Sequence, residues 1–129
     1  MKNFRDLQVW HKAHALVLES YKVTNAFPRQ EMFSMTSQIR RAAVSIAANI
    51  SEGCGKQGNG EFQRFLGMAA GSASELEYHF LLSRDLGFIA EIEYERPNSH
   101  VIEVKRMLAS LLRKVNTERL PGKMLSAEC

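Results

Sequence analysis

The chain has 129 residues, 45% of them apolar and 24% charged, which is the make-up of one globular domain. Seventeen Lys and Arg against fourteen Asp and Glu leave a net charge of +3, mildly basic, which permits a nucleic-acid partner without demanding one. No apolar run is long enough to span a bilayer, and Met1-Lys2-Asn3-Phe4-Arg5 lacks the apolar core of a signal peptide. Two cysteines, Cys54 in a glycine loop and Cys129 at the end, make no disulfide framework, so a reducing cytoplasm is the simplest home.

The first helix is expected from about Arg5 to Ala26, with Pro28 beyond its end. Leu7, Trp10, His14, Val17, Leu18 and Tyr21 read as its main apolar face. A second line, Val9, Leu16 and Val23, repeats at seven residues on nearly the opposite side and asks for a surface to cover it, which is a sign of self-association. Residues 27–36 form a connector in which Ser34 or Thr36 is placed to cap the next helix.

The central helix carries Ile39, Ala43, Ile46 and Ile50 at the spacing of a buried stripe. Ala47, Ala48 and Val44 widen that stripe with small or apolar residues, which suits close approach by neighbours on more than one side. Gly53 reads as its stop. After a glycine-rich loop over 54–60, with Asn59 as cap, the third helix covers roughly Gly60 to Leu86 and ends at Gly87. Its core face is Phe62, Phe65, Leu66, Ala69, Ala73, Leu76 and Phe80. Gly67 and Gly71 each cost about 1 kcal/mol against alanine in a helix interior, and close packing on the small Ala42–Ala48 region would account for them.

The last helix either begins near Glu91 and tolerates Pro97 or begins afresh at Asn98 or Ser99. From Val101 it is plain, with Val104, Leu108, Leu111 and Val115 at alternating three- and four-residue steps. No strand pattern appears. The expectation is an all-α, up-down four-helix bundle over residues 1–117, with a mobile tail at 118–129.

Candidate chemistry is sparse. Gly53-Cys54-Gly55-Lys56-Gln57-Gly58 spells G-x-G-x-x-G, but a helix precedes it and no strand is available for a dinucleotide fold. His11 and His14 stand three apart with no third ligand in reach, so neither metal nor any other cofactor is expected. No nucleophile has an evident base, so no enzyme is expected either. The basic side chains Arg40, Arg41, Lys56 and Lys12 remain as candidates for phosphate contact, a modest patch that copies of the chain would multiply.

The run Ser37 to Gly53 (SQIRRAAVSIAANISEG) resembles the signature of the 23S rRNA intervening-sequence protein family. Phe4 to Trp10 (FRDLQVW), Phe27-Pro28, Phe65-Leu66, Gly71 to Glu77 (GSASELE) and Leu86 to Ile89 (LGFI) match it in order, so the resemblance spans roughly 4–115. It implies a bacterial four-helix bundle assembled as a homo-pentameric ring, with a continuous final helix from which the Pro97 region departs. The fold it implies is similar to the accessory variability determinant of diversity-generating retroelements, a basic pentamer that binds nucleic acid and a reverse transcriptase. Together these give a non-enzymatic homo-oligomer that contacts RNA or DNA through Arg40, Arg41, Lys56 and Lys12. Val9, Leu16, Val23, Ala47 and Ala48 are assigned to the subunit interface. A protein-interaction scaffold with an unidentified protein partner is the alternative, and no membrane is involved.

Overall fold

Ten residues, three residues and five residues separate four helices of 17 to 27 residues, and the two shorter connections force the third and fourth helices each to run back along the one before it. In the computed structural model, which describes residues 2–117, these are α1 (Gln8–Thr24), α2 (Met35–Gly55), α3 (Asn59–Asp85) and α4 (Glu91–Thr117). Short 3-10 turns at Phe4–Asp6 and Arg29–Glu31 precede α1 and α2, and there is no strand among the described residues. Each helix packs on its chain neighbours and α4 closes back onto α1. The tail expected at 118–129 lies outside the described residues.

The stripes of α2, α3 and α4 are where the sequence puts them. Ile39, Ala43, Ile46 and Ile50 are fully buried, as are Phe62, Leu66, Ala69, Ala73, Leu76 and Phe80. Val101, Val104, Leu108, Leu111 and Val115 complete the core from α4.

The core side of α1 is centred on the line expected to face another copy, and only part of the expected main face turns inward. Its core stripe is Val9, Ala13, Leu16, Ser20 and Thr24, and Val9 and Leu16 are only 4% and 1% exposed. Val23 is half-buried against the same core. Of the face expected to be inward, Leu18 is 60% exposed and His14 and Tyr21 are exposed too, whereas Trp10 and Val17 are half-buried against the core like Val23, and Leu7, just before the helix, is buried. The helix therefore turns its narrow side inward, with Ala13 and Ser20 letting its neighbours close in. Val9 and Leu16 are used up inside the subunit and do not face another copy.

Helix ends also depart from expectation for identifiable reasons. Asn3 Oδ1 accepts from Arg5 N at 3.0 Å and holds Phe4–Asp6 in a separate turn, so α1 starts three residues late. It also ends at Thr24, two residues short of Ala26. Neither Ser34 nor Thr36 caps α2 with its side chain; the Glu31 carboxylate accepts from Met35 N at 3.3 Å and from Ser34 Oγ at 2.7 Å. Gly53 does not stop α2. It is a buried helical residue whose hydrogen faces Phe65, where a Cβ would lie 2.8 Å from Phe65 Cβ. The turn comes at Gly58, whose φ of 86° is the left-handed conformation that glycine accepts without strain. Gly58 also takes the cap position expected of Asn59, which is the first residue of α3.

Gly87 (φ 82°) ends α3 as expected, with Gly87 N donating to Arg84 O and Phe88 N to Ser83 O, the paired bonds of a Schellman cap. Helix α4 is continuous from Glu91, so Pro97 sits in its second turn, buried, where its missing N–H removes one helical hydrogen bond without ending the helix. At that end of the bundle Phe27 and Phe88 meet at 5.7 Å and tie the two connectors together.

Gly67 and Gly71 do not pack against Ala42–Ala48. Both are exposed, and a Cβ built on either has no heavy atom within 4 Å. Their side of α3 points away from the subunit. None of the helices is long and apolar enough to cross a membrane among the described residues.

Candidate nucleic-acid interface

The four predicted basic residues fall in three places. Arg40 and Arg41 lie in the second turn of α2, whereas Lys56 follows its last residue, about 22 Å further along the axis at 1.5 Å per residue. Lys12 projects from α1 and pairs with Glu103 of α4 at 3.5 Å, an exposed bridge worth roughly 0–1 kcal/mol. Lys56 covers the Phe65 ring, its Nζ 5.6 Å from the centroid. One subunit does not gather them into a single patch.

Arg40 is the most constrained of the four. Its Nε donates to Thr24 Oγ1 at 2.9 Å and its Nη2 to Asn25 Oδ1 at 3.1 Å, while the guanidinium lies 4.5 Å from the centre of the Tyr21 ring. These contacts fasten the start of α2 to the end of α1. Arg41, one residue on and therefore turned about 100° away, is exposed and has no hydrogen-bond or ion-pair partner among the described residues.

Around these two arginines lies a hollow of about 420 Å³ lined by Tyr21, Phe33, Thr36, Arg40, Arg41 and Val44, among others. None of its lining residues is acidic. Phe33 stands on its rim in the turn before α2, 95% exposed. Sequence periodicity misses this place because its parts come from the end of α1, a connector and the start of α2. The one available signal was the pairing of aromatic and arginine residues across positions 21–41.

The outward side of α2 and α3 forms a second surface. Ser45 Oγ and Ser72 Oγ meet at 2.8 Å across the two helices, and Asn49 Nδ2 donates to Ser45 O and Oγ. Exposed Ala48, Met68 and Gly71 lie on that side, beside Arg64. Arg64 donates to both carboxylate oxygens of Glu61, at 3.2 and 3.3 Å. That hydrogen bond, with the nearby charges of Arg64 and Lys56, holds Glu61 below the usual carboxylate range, and slight desolvation opposes it. Of the residues assigned to a subunit interface, Ala48 is on this surface; Ala47 is buried within the subunit.

The remaining candidates have local partners. His11 Nε2 is 2.7 Å from Arg5 O, and His14 stacks on Trp10 at 4.9 Å. No three His, Cys, Asp or Glu side chains gather in a metal-binding arrangement among the described residues. Gly53 and Gly55 of the G-x-G-x-x-G run are helical, and Cys54 is buried in the last turn of α2 rather than set in a loop. Between α1 and the first half of α4 runs a groove of about 690 Å³, with Leu18, Val23, Phe88 and Ile92 among its apolar residues and Glu19, Glu93 and Arg96 among its polar ones.

A family model, the 23S rRNA-intervening sequence protein, matches residues 5–110 and so takes in α1, α2, α3 and most of α4. The chain belongs to this family. Among solved structures it is similar to a protein of unknown function from the S23 ribosomal protein family of Bacteroides thetaiotaomicron. The two are 30% identical, with a TM-score of 0.73, over 81% of this chain and 98% of that one. No curated protein matches. The family's matched region contains Arg40, Arg41, Lys56, Lys12 and the small-residue side of α2 and α3.

Proposed function

We propose that this family member is a non-enzymatic, self-associating bundle that contacts RNA or DNA through a basic surface built across copies. The observation that carries it is the pair of exposed glycines in the interior of α3. Each costs about 1 kcal/mol relative to alanine, and neither makes room for anything within its own subunit. A second copy laid against Gly67, Gly71, Met68 and Ala48 would use that room, since small residues let helix backbones approach closely. The resemblance to ring-forming bundles sets five as the expected number of copies.

Arg41 borders this surface without a hydrogen-bond or ion-pair partner among the described residues. Repeated around a ring, Arg41 and the neighbouring Arg40 would convert a weak field into a polyanion site, with phosphate contacts that carry little sequence preference. Lys56 and Lys12 would contribute from further off. The fold that the sequence resemblance implies, similar to a nucleic-acid-binding pentamer, points the same way.

Met68→Glu and Arg41→Ala separate the two halves of the proposal. Met68→Glu, at an exposed position, should leave the bundle folded and reduce the sedimenting species to single chains. Arg41→Ala should leave assembly intact and flatten the salt dependence of RNA or DNA binding. Intact assembly in the first variant, or an unchanged salt slope in the second, contradicts the corresponding half.

A second reading, a scaffold for another protein, is favoured by the α1–α4 groove, where Leu18 and Ile92 expose most of their apolar surface. Salt-independent absence of nucleic-acid binding by an intact assembly would select it.

A further inference from the structure

We propose that the hollow between the end of α1 and the start of α2 is a subsite for single-stranded nucleic acid, with Phe33 the platform for one base and Arg41 the contact to its phosphate. This rests on the reading that the chain binds RNA or DNA, and it narrows that reading to one strand form and one place.

Three observations meet here. Phe33 offers nearly its whole ring to solvent, and Met32, Tyr21 and Val44 beside it are each more than two-fifths exposed, so the ring is part of a patch rather than a lone surface aromatic. An exposed ring face is the element on which unpaired bases stack, whichever base it is. In a duplex those faces are covered by neighbouring base pairs everywhere but at the two ends, so a single strand offers Phe33 on the rim many more bases to meet.

The charge is of the right sign and partly fixed in place. Arg40 is held by Thr24, Asn25 and the Tyr21 ring through Nε, Nη2 and its planar face, and its Nη1 takes part in neither of those hydrogen bonds. Arg41 is unpartnered among the described residues and able to turn toward a phosphate. An arginine already ordered loses less side-chain freedom when it binds.

Finally, the hollow's lining has no carboxylate to repel a phosphate. The larger α1–α4 groove sets Glu19 and Glu93 against Lys22 and Arg96, with His100 beside them, and so offers a polyanion less net positive charge than a lining without carboxylates. At about 420 Å³ the hollow is also within the roughly 300–1,000 Å³ of ordinary ligand sites.

The test is fluorescence anisotropy with a labelled RNA single strand of about 12 nucleotides, within the usual site sizes, and a blunt duplex of the same sequence. Titrations run between about 50 and 200 mM salt on the wild type, Phe33→Ala, Phe33→Trp and Arg41→Ala, with native mass spectra of each. Phe33 supports no core residue, so its variants fold.

The wild type should bind the single strand more tightly than the duplex. Phe33→Ala should weaken single-strand binding by about fivefold or more with the salt slope unchanged, and Phe33→Trp should restore it. Arg41→Ala should lower the slope instead. Equal affinity for duplex and single strand overturns the subsite, as does an unchanged affinity in Phe33→Ala; nucleic-acid binding itself then stands. A loss of subunits in the Phe33→Ala mass spectrum identifies Phe33 as an anchor between chains and also overturns it. Absence of salt-dependent binding to either probe by the wild type overturns both the subsite and the reading beneath it.

Discussion

Glycine to alanine changes at positions 53 and 71 should have opposite signs, though both positions lie within helices. At Gly53 the new methyl would sit 2.8 Å from Phe65 Cβ and 3.3 Å from Phe62 Cδ1. Carbon atoms attract at about 3.5–4.0 Å, so the first contact is at least ~0.7 Å too short. A Cβ cannot swing aside as the end of a side chain does, so α2 and α3 must part. Overpacking of this kind costs about 1–3 kcal/mol, against about 1 kcal/mol gained in helix propensity near the end of α2. The bulk term is near its upper half because the obstructing atom is fixed to the backbone.

A net loss of about 1–2 kcal/mol is expected for Gly53→Ala, or roughly 3–8 °C in melting temperature for a chain of this size. Gly71→Ala meets nothing within 4 Å, so the subunit itself should gain up to about 1 kcal/mol. The same methyl should weaken association if the α3 surface docks a second copy. Urea unfolding followed by far-UV circular dichroism, repeated over a range of protein concentrations, separates subunit stability from assembly. A Gly53→Ala subunit as stable as the wild type, or a Gly71→Ala subunit less stable, would refute the packing described here.

Other substitutions probe the remaining assignments. Leu16→Ala should cost about 2–5 kcal/mol in urea unfolding as a core truncation, while Leu18→Ala should stay within about 0.5 kcal/mol as a surface one; equal effects would restore the other face of α1. Glu61 should titrate below an ordinary glutamate in a carbon-detected NMR titration, and Arg64→Ala should move its midpoint up. Because the folded chain binds this proton more weakly than the unfolded chain, the pair's contribution is present above the ordinary carboxylate range. It is lost as pH falls through the lowered midpoint. An unmoved midpoint in Arg64→Ala would discount the bond. Lys56→Ala should lower the salt slope of RNA binding less than Arg41→Ala does, since Lys56 lies outside the hollow; the reverse order would move the site to the far end of α2.

Much of the bundle is legible because three helices mark their inner faces with large apolar residues at helical steps. Ile39, Ala43, Ile46 and Ile50 are one such line, and Phe62 to Phe80 another. Helix α1 hides its inner face, since Ala13, Ser20 and Thr24 do as much of the facing inward as Val9 and Leu16, while bulky Leu18 and Tyr21 look outward. Weighing residues by size alone selects the wrong side.

In α3 both the cost and the direction of Gly67 and Gly71 are readable, since 100° per residue sets them opposite the line from Phe62 to Phe80. The small residues from Gly67 to Ser74 suggest packing on α2 instead, and the periodicity outweighs that suggestion. Glu31 as the cap of α2 was unreadable because its carboxylate reaches forward from a separate turn before the helix. The same turn places Phe33, and no periodic pattern includes a residue between two elements. Arg40 and Arg41 were visible as charges, but Arg40's hold on Thr24 and Asn25 is a tertiary fact.

A native mass spectrum of protein purified without nuclease tests the central claim most directly. An assembly of several chains, five by resemblance, carrying additional mass that nuclease removes is the predicted result. Single chains at micromolar concentration would contradict it, since Gly67, Gly71 and Met68 would then face only water and no ring would bring the arginines together.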